Sequence, residues 1–143
     1  MPHSFQHVLN DEDALFFYHY IVKTPAEIEN RKPIHNLARK FGITIIFESG
    51  QYNKYDSTRD CIRIYDNVIG KNKIFFRHLR NAFAHQNIKI SGDRCILLDC
   101  DVFKNKTITM TGDVKYNKFK TLLDEFFSDA NLNPKSKNNE SKT

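Results

Sequence analysis

The stretch from residue 71 to residue 88, KNKIFFRHLRNAFAHQNI, constrains the fold more than any other part of the chain. Read as an α-helix, with about 100° between successive residues, it separates into two faces. The apolar face spans an arc of about 120°, which is wide enough to be a core face. We therefore expect this helix to lie against the hydrophobic core of a folded domain. The apolar face consists of Phe75, Phe76, Leu79, Ala82 and Phe83.

The opposite face of this helix is polar and basic. No acidic residue occurs between positions 71 and 89, and the five lysines and arginines there equal the whole formal charge excess of +5. We expect this face to turn outward and to bind an anionic partner. Its polar residues are Lys73, Arg77, His78, Arg80, Asn81 and His85.

Within this helix, Arg80, Asn81 and His85 form a pattern of an arginine, a polar residue, three further residues and a histidine. The spacing alone is weak evidence, because such Arg/His pairs arise by chance in a chain of this composition. In its context, RHLRNAFAHQNI, the pattern resembles the signature of the HEPN superfamily (higher eukaryotes and prokaryotes nucleotide-binding). These are helical domains, many of which are ribonucleases. The resemblance extends over about residues 57 to 128.

The resemblance implies a metal-independent endoribonuclease without a cofactor, of the toxin or defence type found among small prokaryotic members. RNA cleavage by its own 2′-hydroxyl needs a group that exchanges protons near neutral pH, and an imidazole such as that of His85 can do so. Arg80 would hold the phosphate with its guanidinium fork, and Asn81 would orient the imidazole or the phosphate. The alternative is a non-catalytic module that uses the same basic face to bind RNA, a nucleotide or a partner protein.

Three further residues of the polar face, Lys73, Arg77 and His78, are predicted RNA contacts. For Arg77 and His78 the alternative is an ordinary solvated face. Arg80 and His85 lie about 140° apart around a regular helix, so one helix points them at different edges of a groove. HEPN domains bring two motif helices together across a composite site, so the resemblance implies a homodimer. A toxin of this kind would also have an antitoxin as a partner.

An acidic group in the second half of the chain, Asp93, Asp99 and Asp101, is the other candidate site. Asp99 and Asp101 would share one face of a strand and could bind a divalent cation. We instead expect hydrophilic positions on an exposed hairpin and no metal site. Cys95 and Cys100 would point to opposite faces of one strand, which disfavours zinc.

The composition, with 40% hydrophobic and 13% aromatic residues, predicts one folded domain over residues 1–129 and a disordered polar tail over residues 130–143. Three cysteines without close pairs indicate reduced thiols. The N-terminus lacks the pattern of a secretory signal, and no apolar run reaches membrane-spanning length. We therefore expect a cytoplasmic protein that does not bind membranes.

The remaining patterns predict a mainly α fold, an antiparallel HEPN-like helical bundle with a small β-hairpin between the motif helix and the C-terminal helix. The hairpin is predicted from residues 95–103 and 106–110, both rich in β-formers. Residues 43–47 (ITIIF) fit either a short strand or a buried helical turn. Besides the motif helix, helices are predicted over residues 11–23, from residue 26 or 33 to 40, from Ser57 as N-cap to Gly70, and over residues 116–129.

Overall fold

The centre of the fold is a five-stranded mixed sheet. The structure is a computed structural model that describes residues 8–55, 59–66, 70–101, 103 and 107–133. Its strands are β1 (Thr44–Phe47), β2 (Cys61–Ile64), β3 (Ile88–Ser91), β4 (Arg94–Asp101) and β5 (Thr107–Lys115). They lie in the order β1-β2-β5-β4-β3. β1 and β2 run parallel, and the other neighbouring strands run antiparallel.

Helices pack on this sheet and on one another. α4 lies against β4 and contacts α1 and α2, whereas α5 contacts β4 and β5. Within the described ranges, none of the helices combines the length and the apolar character needed to cross a bilayer. The helices are α1 (Asp11–Ile21), α2 (Pro25–Glu29), α3 (Ile34–Ala38), α4 (Lys71–Ala84) and α5 (Tyr116–Phe126), with short 3₁₀ turns at Arg39–Phe41 and Asp129–Asn131.

The hydrophobic core forms around α4, as its apolar face predicts. Phe75, Leu79 and Ala82 are fully buried, and Phe76 nearly so. The rings of Phe76 and Phe126 have centroids 5.1 Å apart, which joins α4 to α5. Because aromatic rings bury large apolar areas, these contacts supply much of the packing that fixes the orientation of α4.

The predicted mainly α helical bundle is wrong, since the chain has an α/β fold around the five-stranded sheet. The segment predicted as a helix from Ser57 to Gly70 contains strand β2, which lies between β1 and β5. Cys61, Ile62 and Ile64 are all buried, so this strand shows no alternation of apolar and polar residues. A short apolar run of this kind cannot be told from a buried helical turn by its periodicity. Ser57, together with residues 68 and 69 of the predicted apolar face, lies outside the described residues.

The predicted hairpin exists, but it is far larger than a small insertion. β4 and β5 pair from Arg94↔Lys115 to Asp101↔Thr107, with an irregularity between Asp99 and Cys100. The hairpin supplies two of the three inner strands of the sheet. The ambiguous segment ITIIF forms the edge strand β1. Residues 104–106 lie outside the described residues.

Residues 130–133, which the sequence predicts to belong to the polar tail, lie against the connection between α2 and α3. Asn131 is buried, and its backbone carbonyl accepts a hydrogen bond from the N–H of Lys32 at 3.0 Å. The backbone N–H of Asn133 donates to the carbonyl of Asn30 at 2.9 Å. The rest of the predicted tail, residues 134–143, lies outside the described residues.

Candidate functional site

His85 is held at the C-terminal end of α4 by a well-defined cap. The N–H groups of Gln86 and Asn87 donate to the carbonyls of Phe83 and Ala82, at 3.1 and 2.8 Å. This pair of hydrogen bonds is a Schellman motif, which requires a left-handed residue just after the cap. Gln86 takes that conformation with φ 58°. The cap therefore fixes the backbone of His85, while its side chain stays exposed.

Asn81 and His85 line the same cavity, which has a volume of about 530 Å³. Arg77 and His78 line it as well, because side chains three, four, seven and eight positions apart share one face of a helix. The end of β2 and the β4–β5 hairpin form the opposite walls. Those walls contribute Tyr65, Asp66, Asp99, Cys100, Asp101, Phe103 and Thr109.

Arg80 lies on a different side of α4 from His85. It lines a second cavity of about 310 Å³, together with Lys73 and Arg77. Its exposed guanidinium makes no ion pair or hydrogen bond with any residue that the structure describes. One protomer therefore does not bring Arg80 and His85 into a single cavity, in agreement with their angular separation on the helix.

The other two basic residues of this face carry acidic partners. Lys73 Nζ lies 3.0 Å from Glu29 Oε1, and both side chains are half exposed. Arg77 Nη2 donates to Asp66 Oδ2 at 2.6 Å. The cationic character of the outward face of α4 therefore depends strongly on Arg80.

His78 does not belong to the outward face, contrary to the sequence prediction. It is only 5% exposed, and Asp99, predicted to lie on an exposed hairpin, is 2% exposed. Nδ1–H of His78 donates to Asp99 Oδ2 at 2.7 Å, since an ionised carboxylate can only accept. The sequence contained a signal for this burial, because His78 lies four residues from two apolar residues, Ile74 and Ala82, on the same row of the helix.

The buried pair of His78 and Asp99 has further polar neighbours. Thr109 Oγ1 donates to Asp99 Oδ2 at 3.2 Å. His78 Nε2 lies 3.5 Å from Asp66 Oδ2 and makes no hydrogen bond within the described part of the chain. The pair thus links α4 to the hairpin strands directly beneath the cavity that Asn81 and His85 line.

The carboxylates of Asp66, Asp99 and Asp101 give this cavity an acidic lining, which the sequence prediction missed. Asp101 Oδ1 accepts the backbone N–H of Phe103 at 2.9 Å. Among the residues that the structure describes, no three His, Cys, Asp or Glu side chains are grouped to hold a metal ion. Acidic walls disfavour a phosphate deep in the cavity, so a phosphate fits better at its rim or near Arg80.

Comparison with known families identifies the chain. Residues 9–137 match the family described as HEPN pEK499 p136. The chain belongs to this HEPN family. The match includes the N-terminal part, where the sequence motifs gave no resemblance. No curated protein and no solved structure is significantly similar to the chain.

HEPN membership, predicted from Arg80, Asn81 and His85, is therefore confirmed. In this HEPN domain the motif helix packs against a β-sheet, and strands of the sheet supply part of the cavity wall next to the motif. Arg80 faces a separate surface of the same helix. The HEPN motif thus joins two surfaces, one acidic and concave, the other exposed and basic.

Proposed function

We propose that this HEPN domain is a metal-independent endoribonuclease of the toxin or defence type, acting in the cytoplasm. The observation that carries the proposal is the arrangement of the motif on α4. His85 is exposed at a fixed helix end, Asn81 lines the same cavity one turn earlier, and the exposed Arg80 has no partner among the described residues. A cation for the phosphorane charge and an accessible imidazole are the two groups that cleavage by a 2′-hydroxyl requires.

In the proposed reaction, an imidazole removes the proton of the 2′-hydroxyl, and the resulting oxygen attacks the adjacent phosphorus. The bond from phosphorus to the 5′-oxygen breaks, and that oxygen receives a proton. The products are a 2′,3′-cyclic phosphate and a free 5′-hydroxyl. His85 exchanges the protons, Arg80 stabilises the charge of the phosphorane, and Asn81 orients the imidazole or the phosphate.

RNA binding in this proposal extends along the basic face of α4. Lys73 and Arg77 have half-exposed side chains, and their pairs with Glu29 and Asp66 lie at the surface. Surface ion pairs contribute only about 0–1 kcal/mol, so RNA phosphates can replace them. His78, in contrast, is buried and contributes through the position of α4 rather than by contact.

The decisive experiment treats total cellular RNA with the purified protein in the presence of EDTA. Wild type should cleave RNA and leave 2′,3′-cyclic phosphate ends, and His85→Ala should not cleave. His19→Ala, at an exposed histidine on α1, is the matched control and should cleave like wild type. The rate should rise and fall across roughly pH 5 to 8, because imidazole must be present in both protonation states. Cleavage that stops in EDTA and requires Asp99 or Asp101 would contradict the proposal.

The second candidate function is a non-catalytic module that binds RNA, a nucleotide or a partner protein. Its support is the acidic lining of the cavity: Asp66, Asp99 and Asp101 face the same space as His85 and oppose the negative charge that a phosphorane would develop there. This function predicts that wild type binds RNA without cleaving it, and that His85→Ala binds with unchanged affinity. If the chain is instead a toxin, co-expression with a neutralising antitoxin should relieve growth inhibition.

A further inference from the structure

We propose that the cavity next to His85 binds one unpaired nucleobase of the RNA, stacked on Phe103. This inference rests on the proposed function, because it names the class of RNA that the same site takes. Phe103 is 95% exposed, yet it lines the cavity that also contains Asn81 and His85. An exposed phenyl ring at the mouth of a polar cavity is suited to stacking on the flat face of a base.

The position of Phe103 is defined by its neighbour on the hairpin. Asp101 Oδ1 accepts the backbone N–H of Phe103 at 2.9 Å, which ties Phe103 to the end of β4. A second aromatic side chain, Tyr65, lines the cavity and contacts the ring of Tyr52 edge-on, with centroids 6.0 Å apart. The cavity thus has aromatic side chains from two separate segments of the chain.

The charge of the cavity favours a base over a phosphate. Its carboxylates, Asp66, Asp99 and Asp101, oppose an anion, and the arginine in its lining, Arg77, is already paired with Asp66. The partly exposed Asp66 and Asp101 can accept hydrogen bonds from the N–H groups at the edge of a base. A volume of about 530 Å³ also leaves room for a base. The phosphates would remain at the rim of the cavity, outside its carboxylate walls.

Such a subsite selects against double-stranded RNA. In a duplex each base is stacked and paired, so it can reach Phe103 only after unpairing and unstacking. A base in a single strand lacks the pairing and is free to turn out and stack on an aromatic side chain. We therefore expect loops and single strands to bind, and perfect duplexes to bind only weakly through their phosphates.

The chain has no tryptophan, which makes a direct test simple. Phe103→Trp introduces a single tryptophan at the proposed platform, and the added His85→Ala keeps the RNA intact. A short oligoadenylate should quench the tryptophan emission, whereas the same strand annealed to oligouridylate should not. Tyr18→Trp, at a 56% exposed position on α1, is the matched control and should show no quenching.

A binding measurement completes the test. In the His85→Ala background, Phe103→Ala should weaken oligoadenylate binding by roughly tenfold, and Phe103→Trp should retain it. Unchanged affinity of Phe103→Ala, or equal quenching by the duplex, would overturn the inference. So would an emission shift that follows protein concentration without RNA, since it would show that residue 103 contacts a second protein chain.

These experiments test the base subsite separately from the proposed catalysis. If wild type fails to cleave RNA but Phe103→Trp is quenched by the single strand, the base subsite stands and the endoribonuclease fails. If wild type cleaves RNA while quenching and the loss of affinity are both absent, the endoribonuclease stands and the base subsite fails.

Discussion

Arg80 differs from the other cations of α4 in having no partner among the described residues, and this difference can be measured. Arg80→Ala should weaken RNA binding. It should also reduce the slope of the logarithm of the binding constant against the logarithm of salt concentration by about one, the amount expected for the loss of one phosphate contact. Arg77→Ala should have a smaller effect, because the guanidinium of Arg77 already pairs with Asp66 at 2.6 Å. Titrations of labelled RNA at several salt concentrations check both variants. A larger loss from Arg77→Ala than from Arg80→Ala would contradict this assignment.

His78 and Asp99 form the second residue-scale feature, a buried polar pair between α4 and β4. Removing one member leaves the other buried without its partner, which costs about 3 kcal/mol in such pairs. Asp99→Ala should therefore lower the free energy of unfolding by about that amount in urea denaturation. Asp101→Ala, at a partly exposed neighbouring position, is the control and should change it by less than about 1 kcal/mol. An unchanged stability of Asp99→Ala would show that the pair is not part of the core.

Site residues that lie on one helix can be predicted from the sequence more readily than site residues that the sheet brings together. Arg80, Asn81 and His85 could be identified because helical spacing and a family signature concern neighbouring residues. Asp66 and Asp99 could not be placed, because their approach to α4 depends on strand pairings between distant segments. Phe103 also could not be identified, since its place at this cavity depends on the pairing of β4 with β5.

At the scale of elements, α4 depends on the cap that follows it. Gln86 adopts a left-handed conformation, which glycine tolerates and other residues rarely adopt without strain. Gln86→Gly should therefore raise the free energy of unfolding by about 1 kcal/mol. Gln86→Ala, the matched control, keeps a Cβ and should give no such gain. Thermal and urea unfolding of both variants test this, and equal stabilities would contradict the strain argument.

The elements that the sequence predicts correctly are those with a strong local pattern. α4 and α5 each carry a helical apolar stripe, α1 has acidic residues in its first turn followed by a dense aromatic run, and the β4–β5 hairpin has two β-rich segments. β2 was predicted as a helix because its residues are buried on both faces and lack a period of two. The parallel pairing of β1 with β2 has no local signal at all, since it depends on the crossover between them. β1, β2 and β3, the strands outside the predicted hairpin, turn the predicted bundle into an α/β fold.

At the scale of the whole molecule, the separation of Arg80 from His85 has a direct consequence. The two residues line different cavities of one protomer, so a single chain does not present both to one phosphate. A two-fold dimer can solve this, because symmetry brings the same surface of two copies together. The Arg80 of one copy would then complete the site that contains the His85 of the other.

Complementation between two inactive variants tests this arrangement. In a mixture of Arg80→Ala and His85→Ala chains, each mixed dimer contains one site with an intact arginine and an intact histidine. Random exchange of chains gives about half of the dimers as mixed dimers, and each mixed dimer has one of its two sites restored. About a quarter of the wild-type rate should therefore return. Arg80→Ala mixed with the double variant should stay inactive.

Light scattering gives the second measurement, and wild type should be a dimer at micromolar concentration. A monomer with full ribonuclease activity would exclude the composite site, because the two motif residues would then have to act from separate cavities of one chain. Mixed dimers that are formed by co-expression and remain inactive would also exclude it. In that case the arginine that acts beside His85 would be Arg77, because Arg77 lines both cavities. The RNA phosphate would first have to displace the guanidinium of Arg77 from Asp66.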